Sequence, residues 1–264
     1  MHFGASKKNG ELIPDAMKIS IITVAYNSGK TIEDTIKSVI NQHFQEIEYI
    51  IIDGGSTDNT LEIVAQYKSA IAHVISEKDK GIYDAMNKGI SLATGDIIGI
   101  LNSDDFYSDA DVIAKVVNAF QPEIDAVYGN LVYVDPIDTT KITRTWLSGE
   151  YKVGAFFKGW MPPHPTFFVR KEVYQKFGTY SMELKSAADY EFMLRVIHKH
   201  EIRLAYLNEV TVIMRAGGAS NASFKNRLKA NQEDRLAWEM NELKPKPFAL
   251  IRKPLSKIFQ FLKK

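Results

Sequence analysis

Short apolar runs that stop abruptly on polar residues recur through the first hundred residues, and no other feature constrains the fold as strongly. Ile19-Ser-Ile-Ile-Thr-Val-Ala-Tyr-Asn27, Tyr49-Ile-Ile-Ile-Asp-Gly-Gly-Ser-Thr-Asp58, Ala72 to Ser76 and Gly95-Asp-Ile-Ile-Gly-Ile-Leu-Asn-Ser-Asp-Asp-Phe106 share this arrangement. A run that short, bounded by turn residues, reads as a buried strand of a mostly parallel sheet. Helical patterns fill the gaps. One runs from about Thr31 to Gln42, and a second is capped by Ser56 or Thr57. In a third, Ile82, Met86, Ile90 and Ala93 recur at helical spacing and mark one buried face. Four successive strand–helix units therefore end in polar groups that converge on one sheet edge, where ligands of such sheets collect.

The polar end of the fourth run carries the clearest chemistry. Asn102, Ser103, Asp104 and Asp105 follow directly on the strand. Adjacent carboxylates repel unless a cation lies beside them. Hard oxygen ligands of this kind suit Mg²⁺ or Mn²⁺ shared with a phosphate-bearing substrate. The alternative is an acidic turn capping the next helix.

With their order and spacing, these pieces resemble the inverting, family-2-type nucleotide-sugar glycosyltransferases with the glycosyltransferase-A fold, of the kind acting in bacterial surface polysaccharide synthesis. The likeness covers about residues 17 to 107, through Ser-Ile-Ile-Thr-Val-Ala-Tyr-Asn, Ile-Asp-Gly-Gly-Ser-Thr-Asp, Ser-Glu-Lys-Asp-Lys-Gly-Ile-Tyr-Asp-Ala-Met-Asn-Lys-Gly and the acidic stretch. His164-Pro-Thr-Phe-Phe and Ala187-Ala-Asp-Tyr-Glu-Phe extend it to about residue 220.

The resemblance implies a Rossmann-like, mostly parallel sheet flanked by helices. Residues 17–220 would form the catalytic domain, split into a nucleotide-binding half, 17–107, and an acceptor-binding half, 108–220. Thr23, Tyr26, Asn27, Asp53, Lys78, Asp79, Asp84, Asn87, Asn102 and Ser103 are expected around the donor, a nucleotide diphosphate-sugar, with UDP as the expected nucleotide. Asp104 is the expected ligand of Mn²⁺ or Mg²⁺, with Asp105 supporting or orienting it. Asn102 stands where the family usually has the first acid of an Asp-x-Asp, so one charge is missing from the metal site. Asp189 matches the position of the base that takes the acceptor's proton. Its alternative role is a helix N-cap, and Glu191 is the fallback base. Trp160, His164 and Arg215 are acceptor-side candidates.

Composition excludes several other classes. Among 264 residues the net charge is only +1, which gives no global pull toward nucleic acid. With Cys 0 there is neither a disulfide nor a thiol nucleophile. No Gly-x-Gly-x-x-Gly follows a strand, which argues against a dinucleotide-dependent oxidoreductase. The Ala25-to-Gly29 turn lacks the glycine and cation density expected of a sugar-nucleotide nucleotidyltransferase. A non-catalytic nucleotide-sugar-binding subunit is the remaining alternative, and Asn102 is its only support.

The two ends differ in character. Residues 1–16 are polar and patternless, and are expected to be a flexible extension. Residues 221–264 are expected to be helical, with a helix from about Ala222 to Glu239. From Leu243 onward Lys244, Lys246, Arg252, Lys253, Lys257, Lys263 and Lys264 alternate with apolar side chains and no acid intervenes. A short basic amphipathic helix of this kind can lie on an anionic membrane surface. No apolar segment approaches the ~20 residues of a membrane-spanning helix. The expectation is a cytoplasmic enzyme, peripheral on the inner face of the membrane.

Overall fold

The computed structural model describes residues 17–217 and 224–245, together with a two-residue ribbon of β1 (Lys7–Lys8) and β2 (Glu11–Leu12). For residues 224–231 only the backbone course is described. Most of 1–16 and all of 246–264 fall outside, so the expected flexible extension and most of the basic C-terminal stretch do too.

Four parallel strands appear where the apolar runs predict them: β3 (Ile19–Ala25), β4 (Ile47–Asp53), β5 (His73–Ser76) and β6 (Ile97–Asn102). Helices α1 (Ile32–Ile40), α2 (Thr60–Gln66) and α3 (Ile82–Leu92) connect them. After β6 come β7 (Asp105–Tyr107), α4 (Val112–Ala119), β8 (Ala126–Val134), β9 (Ile142–Trp146), β10 (Phe168–Arg170) and α5 (Lys171–Phe177). Helix α6 (Ala188–Met193) continues as a π-helical turn, Leu194–Lys199. Strand β11 (Leu204–Arg215) and helix α7 (Phe224–Met240) complete the described chain.

All but the ribbon join one nine-stranded sheet in the order β5-β4-β3-β6-β10-β8-β11-β7, with β9 pairing on β8. The chain moves outward from β3 to β5, then returns to place β6 on the other side of β3. That reversal is the topological switch point of an open α/β sheet, and it opens a crevice at the strands' carboxyl ends. Every residue of β3 is buried, as expected of a parallel strand covered on both faces.

Side chains alternate across the sheet. Ile22, Val24, Ile50, Ile52, Ile98 and Ile100 join a core with residues of α3, α6 and α7. Ile19, Ile21, Ile51, Ile97 and Leu101 join another with α1 and α4. A fully buried isoleucine of this kind contributes about 1.5–3 kcal/mol. Helix α3 corrects one expectation: Ile82, in its first turn, is exposed, and the buried face is made by Tyr83, Met86, Gly89 and Ile90.

Candidate active site

The ladder aligns the strand ends residue by residue: Val24 pairs with Asn102, Ala25 with Asp53, and Asp53 with Ser76. Polar groups from four segments therefore meet along one edge.

Asp53 is wholly buried. Its carboxylate accepts from the Gly55 and Ser56 amides at 3.1 and 3.0 Å, from Ser76 Oγ at 2.7 Å, and from Ser56 Oγ. Three of these donors reach Oδ2 and one reaches Oδ1. Asp53 thereby folds the Gly54–Ser56 turn, in which Gly55 has a φ of 82° that suits glycine.

Thr23 is also buried, with Oγ1 3.1 Å from the Tyr49 hydroxyl, because its position on β3 points into a core layer. Ser103 likewise turns inward to Ser28 Oγ at 2.6 Å, and its carbonyl accepts from Thr31 Oγ1. Both side chains are turned into the scaffold.

The groups left facing outward are fewer. Tyr26 is 65% exposed. Asn27, at a left-handed φ of 50°, accepts from the Thr57 amide at 2.9 Å and so joins the first two loops. A Cβ on Gly54 would come within 2.8 Å of Asp79 Oδ2 and 3.5 Å of the Tyr26 ring. Glycine there lets Asp79 and Tyr26 border the same space. Lys78 is exposed beside them.

Lys88, which the sequence reading passed over, holds this loop. Its Nζ contacts Asp79 at 2.5 Å, Glu77 at 2.8 Å and Asp84 at 3.3 Å. Those hydrogen bonds, Asp79's first, hold its ammonium above the usual lysine range. Three acids within reach of one lysine on the next helix turn was the available signal. Asp84 also accepts from the Lys80 amide at 3.0 Å, closing the entry to α3. Asn87 faces away from the donor side: it donates to the Tyr180 carbonyl at 2.8 Å and accepts from the Tyr180 amide at 3.0 Å. Asp84 and Asn87 thus hold the loop and the neighbouring segment.

At the acidic motif, Asp104 is partly exposed and Asp105 fully buried. Burial raises both carboxyls, Asp105 well above the usual range, where the neighbouring Asp104 charge pushes it further. Asn102 Nδ2 donates to Asp105 Oδ2 at 3.1 Å, while Asn102 Oδ1 and Asp105 Oδ1 are buried without a hydrogen-bond partner. Of the two carboxylates, Asp104 is therefore the accessible one and Asp105 is enclosed.

Among the described residues no group of three or more His, Cys, Asp or Glu forms a cage. One or two carboxylates completed by substrate phosphates is how Mg²⁺ is usually held. With Asp104 accessible and unpartnered oxygens beside it, the residues fit a cation of that kind.

Arg215 lies against this motif. The β7–β11 register pairs Met214 with Asp105, which brings Arg215 beside Asp104. It donates to the Asp104 carbonyl at 2.8 Å, pairs with Asp34, and lies 5.0 Å from the Phe106 ring centre. Pairing across 111 residues of sequence decides its place beside the acidic motif.

The second half of the site centres on Asp189. The helix cap is Ala187, so Asp189 is not the N-cap but stands inside the first turn of α6. Its Oδ1 accepts from the Tyr83 hydroxyl at 3.1 Å. His164 is buried 2.8 Å from the Tyr180 hydroxyl, and burial lowers its pKa despite the nearby Asp189 charge. Glu191 is excluded as an alternative base: it is buried, paired with Arg195 at 3.1 Å, and accepts from Asn241 at 3.0 Å. Trp160 is also committed, with Nε1 donating to the Ser148 carbonyl at 2.7 Å and its ring packed on Tyr128, Tyr151 and Phe156. It is no open platform for a sugar.

Tyr133 lies on β8, half-buried. Burial raises its phenol; the Arg144 charge opposes this, and Asp105 and Asp189 both add to it. Arg144, its cross-strand partner on β9, lies 4.4 Å over that ring.

Known proteins share this fold. Residues 20–178 match the model of the glycosyl transferase family 2. An uncharacterized glycosyltransferase of Mycobacterium tuberculosis is 35% identical over 191 residues, covering 68% of this chain and 69% of its own length. A PGL/p-HBAD biosynthesis glycosyltransferase of Mycobacterium bovis is 27% identical over 213 residues, 78% of this chain and 80% of that one. Among solved structures, the mannosyltransferase PcManGT from Pyrobaculum calidifontis, in complex with GDP-Man and Mn²⁺, superimposes with a TM-score of 0.65 at 20% identity, covering 90% of this chain and 69% of that one. S. aureus TarS 1–349 in complex with UDP-GlcNAc gives 0.64 at 18% identity, over 87% and 68%. The fold is that of the glycosyltransferase-A enzymes, and the chain belongs to glycosyl transferase family 2.

Proposed function

We propose that the enzyme is an inverting transferase that moves a hexosyl or N-acetylhexosaminyl group from a nucleotide diphosphate-sugar, with UDP as the favoured nucleotide, to a hydroxyl of a glycan or lipid-linked acceptor in surface polysaccharide synthesis. The observation that carries this reading is an accessible Asp104 just past the end of β6 together with a separate carboxylate, Asp189, held by the Tyr83 hydroxyl of the first half. The catalytic unit is residues 17–220, with the donor bound by residues 17–107.

In the displacement, the acceptor oxygen attacks the anomeric carbon from the face opposite the diphosphate. Asp189 takes the hydroxyl proton, the bond from the anomeric carbon to the diphosphate breaks, and its electron pair leaves with the nucleotide. One carboxylate on one face gives one displacement and inverted configuration. Tyr26 offers a ring for the base, and Asp79 an acceptor for base or ribose N–H or O–H groups. Mn²⁺ or Mg²⁺, when bound at Asp104, supplies neutralisation of the charge developing on the leaving diphosphate. Two fold neighbours were solved in complex with UDP-GlcNAc and with GDP-Man and Mn²⁺, which supports a nucleotide-sugar donor.

A thermal-shift series of UDP- and GDP-sugars with and without Mn²⁺ tests the donor site. Saturation at 100 times Kd adds about 2.7 kcal/mol of stability. A Mn²⁺-dependent shift for one sugar nucleotide is expected, and no shift with any nucleotide would remove the reading. The acceptor is proposed to lie at a membrane surface, on the strength of the basic, apolar stretch near the C-terminus. Removal of residues 246–264, beyond the Leu243 that packs on the core, is expected to abolish liposome binding.

A further inference from the structure

We propose that Tyr83 is a positioning residue for Asp189, aiming the carboxylate that receives the acceptor's proton. This rests on the reading of Asp189 as the base and adds to it the group that aims it.

Tyr83 belongs to the donor half, 106 residues away in sequence, yet its hydroxyl donates to Asp189 Oδ1 at 3.1 Å. The side chain is buried, and its ring lies 5.8 Å from that of Tyr180. Burial, together with the Asp189 charge, keeps the phenol protonated far beyond neutral pH, so it remains a donor. A carboxylate with one oxygen fixed in this way has a defined rotation about its Cβ–Cγ bond. The other oxygen is then aimed in one direction instead of sampling many.

The surroundings make the aim rigid. Asn87, one turn along α3, clamps the Tyr180 backbone through both its amide and its carbonyl. Tyr180 in turn contacts His164 through its hydroxyl and Phe192 through its ring, and Phe192 is on the helix that carries Asp189. On the donor side, Asp84 holds the Lys80 amide, so the loop bordering the donor space and the hydroxyl that orients the base share the first turn of α3. A hydrogen bond to a charged group is among the stronger ones.

Tyr83→Phe removes only the oxygen and keeps the ring. The expected result is a kcat loss of about 10- to 100-fold, the size of a hydrogen bond to a charged group, with donor KM and the nucleotide-induced thermal shift unchanged. The decisive measurement is a double-mutant cycle with Asp189→Asn. If Tyr83 acts through Asp189, adding Y83F to D189N produces no further loss. Wild-type kcat in Y83F, or a full further loss in the D189N background, overturns the inference while leaving the base assignment intact. Near-normal turnover in D189N alone sinks the base assignment, and this inference with it. Should Y83F fail to fold, 3-fluorotyrosine at position 83 keeps ring and hydroxyl while strengthening the donor. A changed kcat supports the role, and an unchanged one overturns it.

Discussion

Asp104 and Asp189 differ less in chemistry than in what surrounds them, and their neighbours decide what each can do. Asp189 has a phenol on one oxygen and stands in the first turn of a helix. A single general base is typically worth about 10²–10⁴ in rate. Asp189→Asn is accordingly expected to lower kcat by about that factor while donor binding, followed by nucleotide thermal shift, persists. Asp104 is held from behind by Arg215 on its carbonyl. Groups that orient a metal ligand are commonly worth about 10–100-fold in affinity. Arg215→Met is therefore expected to raise the Mn²⁺ concentration needed for half-maximal activity by about that factor, with little change in donor KM at saturating metal. An unchanged metal requirement would separate Arg215 from the site. Asp105 shows why a motif is not a list of ligands: Asp104 lies in the turn between β6 and β7 and is partly exposed, whereas Asp105 opens β7 and is buried.

At the scale of elements, the helix that follows the catalytic domain in sequence is part of its core. Trp238 of α7 is fully buried and donates to the Tyr190 hydroxyl at 2.9 Å, while Asn241 bonds Glu191. Glu233 accepts from the Lys185 and Ser186 amides, just ahead of α6. Helix α7 therefore presses on the helix that carries Asp189. Trp238→Ala is expected to cost about 3–5 kcal/mol, read as a lower urea midpoint, with kcat falling alongside stability at assay temperature. Close packing of the sheet makes a second prediction. A Cβ on Gly99 of β6 would approach the Phe168 ring to 2.6 Å. Overpacking of this kind typically costs about 1–3 kcal/mol, so Gly99→Ala is expected to lower the melting temperature without altering donor KM.

For the molecule as a whole, a buried contributor to acid stability lies at the amino ends of the parallel strands, at Glu48. Burial alone would raise Glu48, but hydrogen bonds from Ser20, Thr94 and Lys18 outweigh it and hold the carboxyl at about 2. A folded pKa below the unfolded one means stability that is complete above pH about 4.5 and lost as pH falls toward 2, on the order of 3 kcal/mol. Glu48→Gln is expected to flatten the pH dependence of stability between pH 4.5 and 2, and an unchanged slope would assign it elsewhere. The same division between local and distant effects governs how much of this protein was legible in its sequence. The parallel strands, their order of polar endings and the acidic motif were readable, because each run is local and its burial is written in its own residues. So was the helix from about Ala222, observed from Phe224 to Met240. Roles resting on which face a residue turns to were not readable: Thr23, Asp53 and Ser103 sit at the strand ends as expected but point inward. Nor were pairings across a hundred residues, such as Arg215 with Asp104 and Tyr83 with Asp189. The sequence alone determined a doubly flanked α/β sheet with its polar ends on one edge, since hydrophobic periodicity is a property of neighbours along the chain. Only the tertiary structure decided which of those polar groups face the crevice and which hold it in shape, since sheet register and helix docking are set by contacts between distant segments.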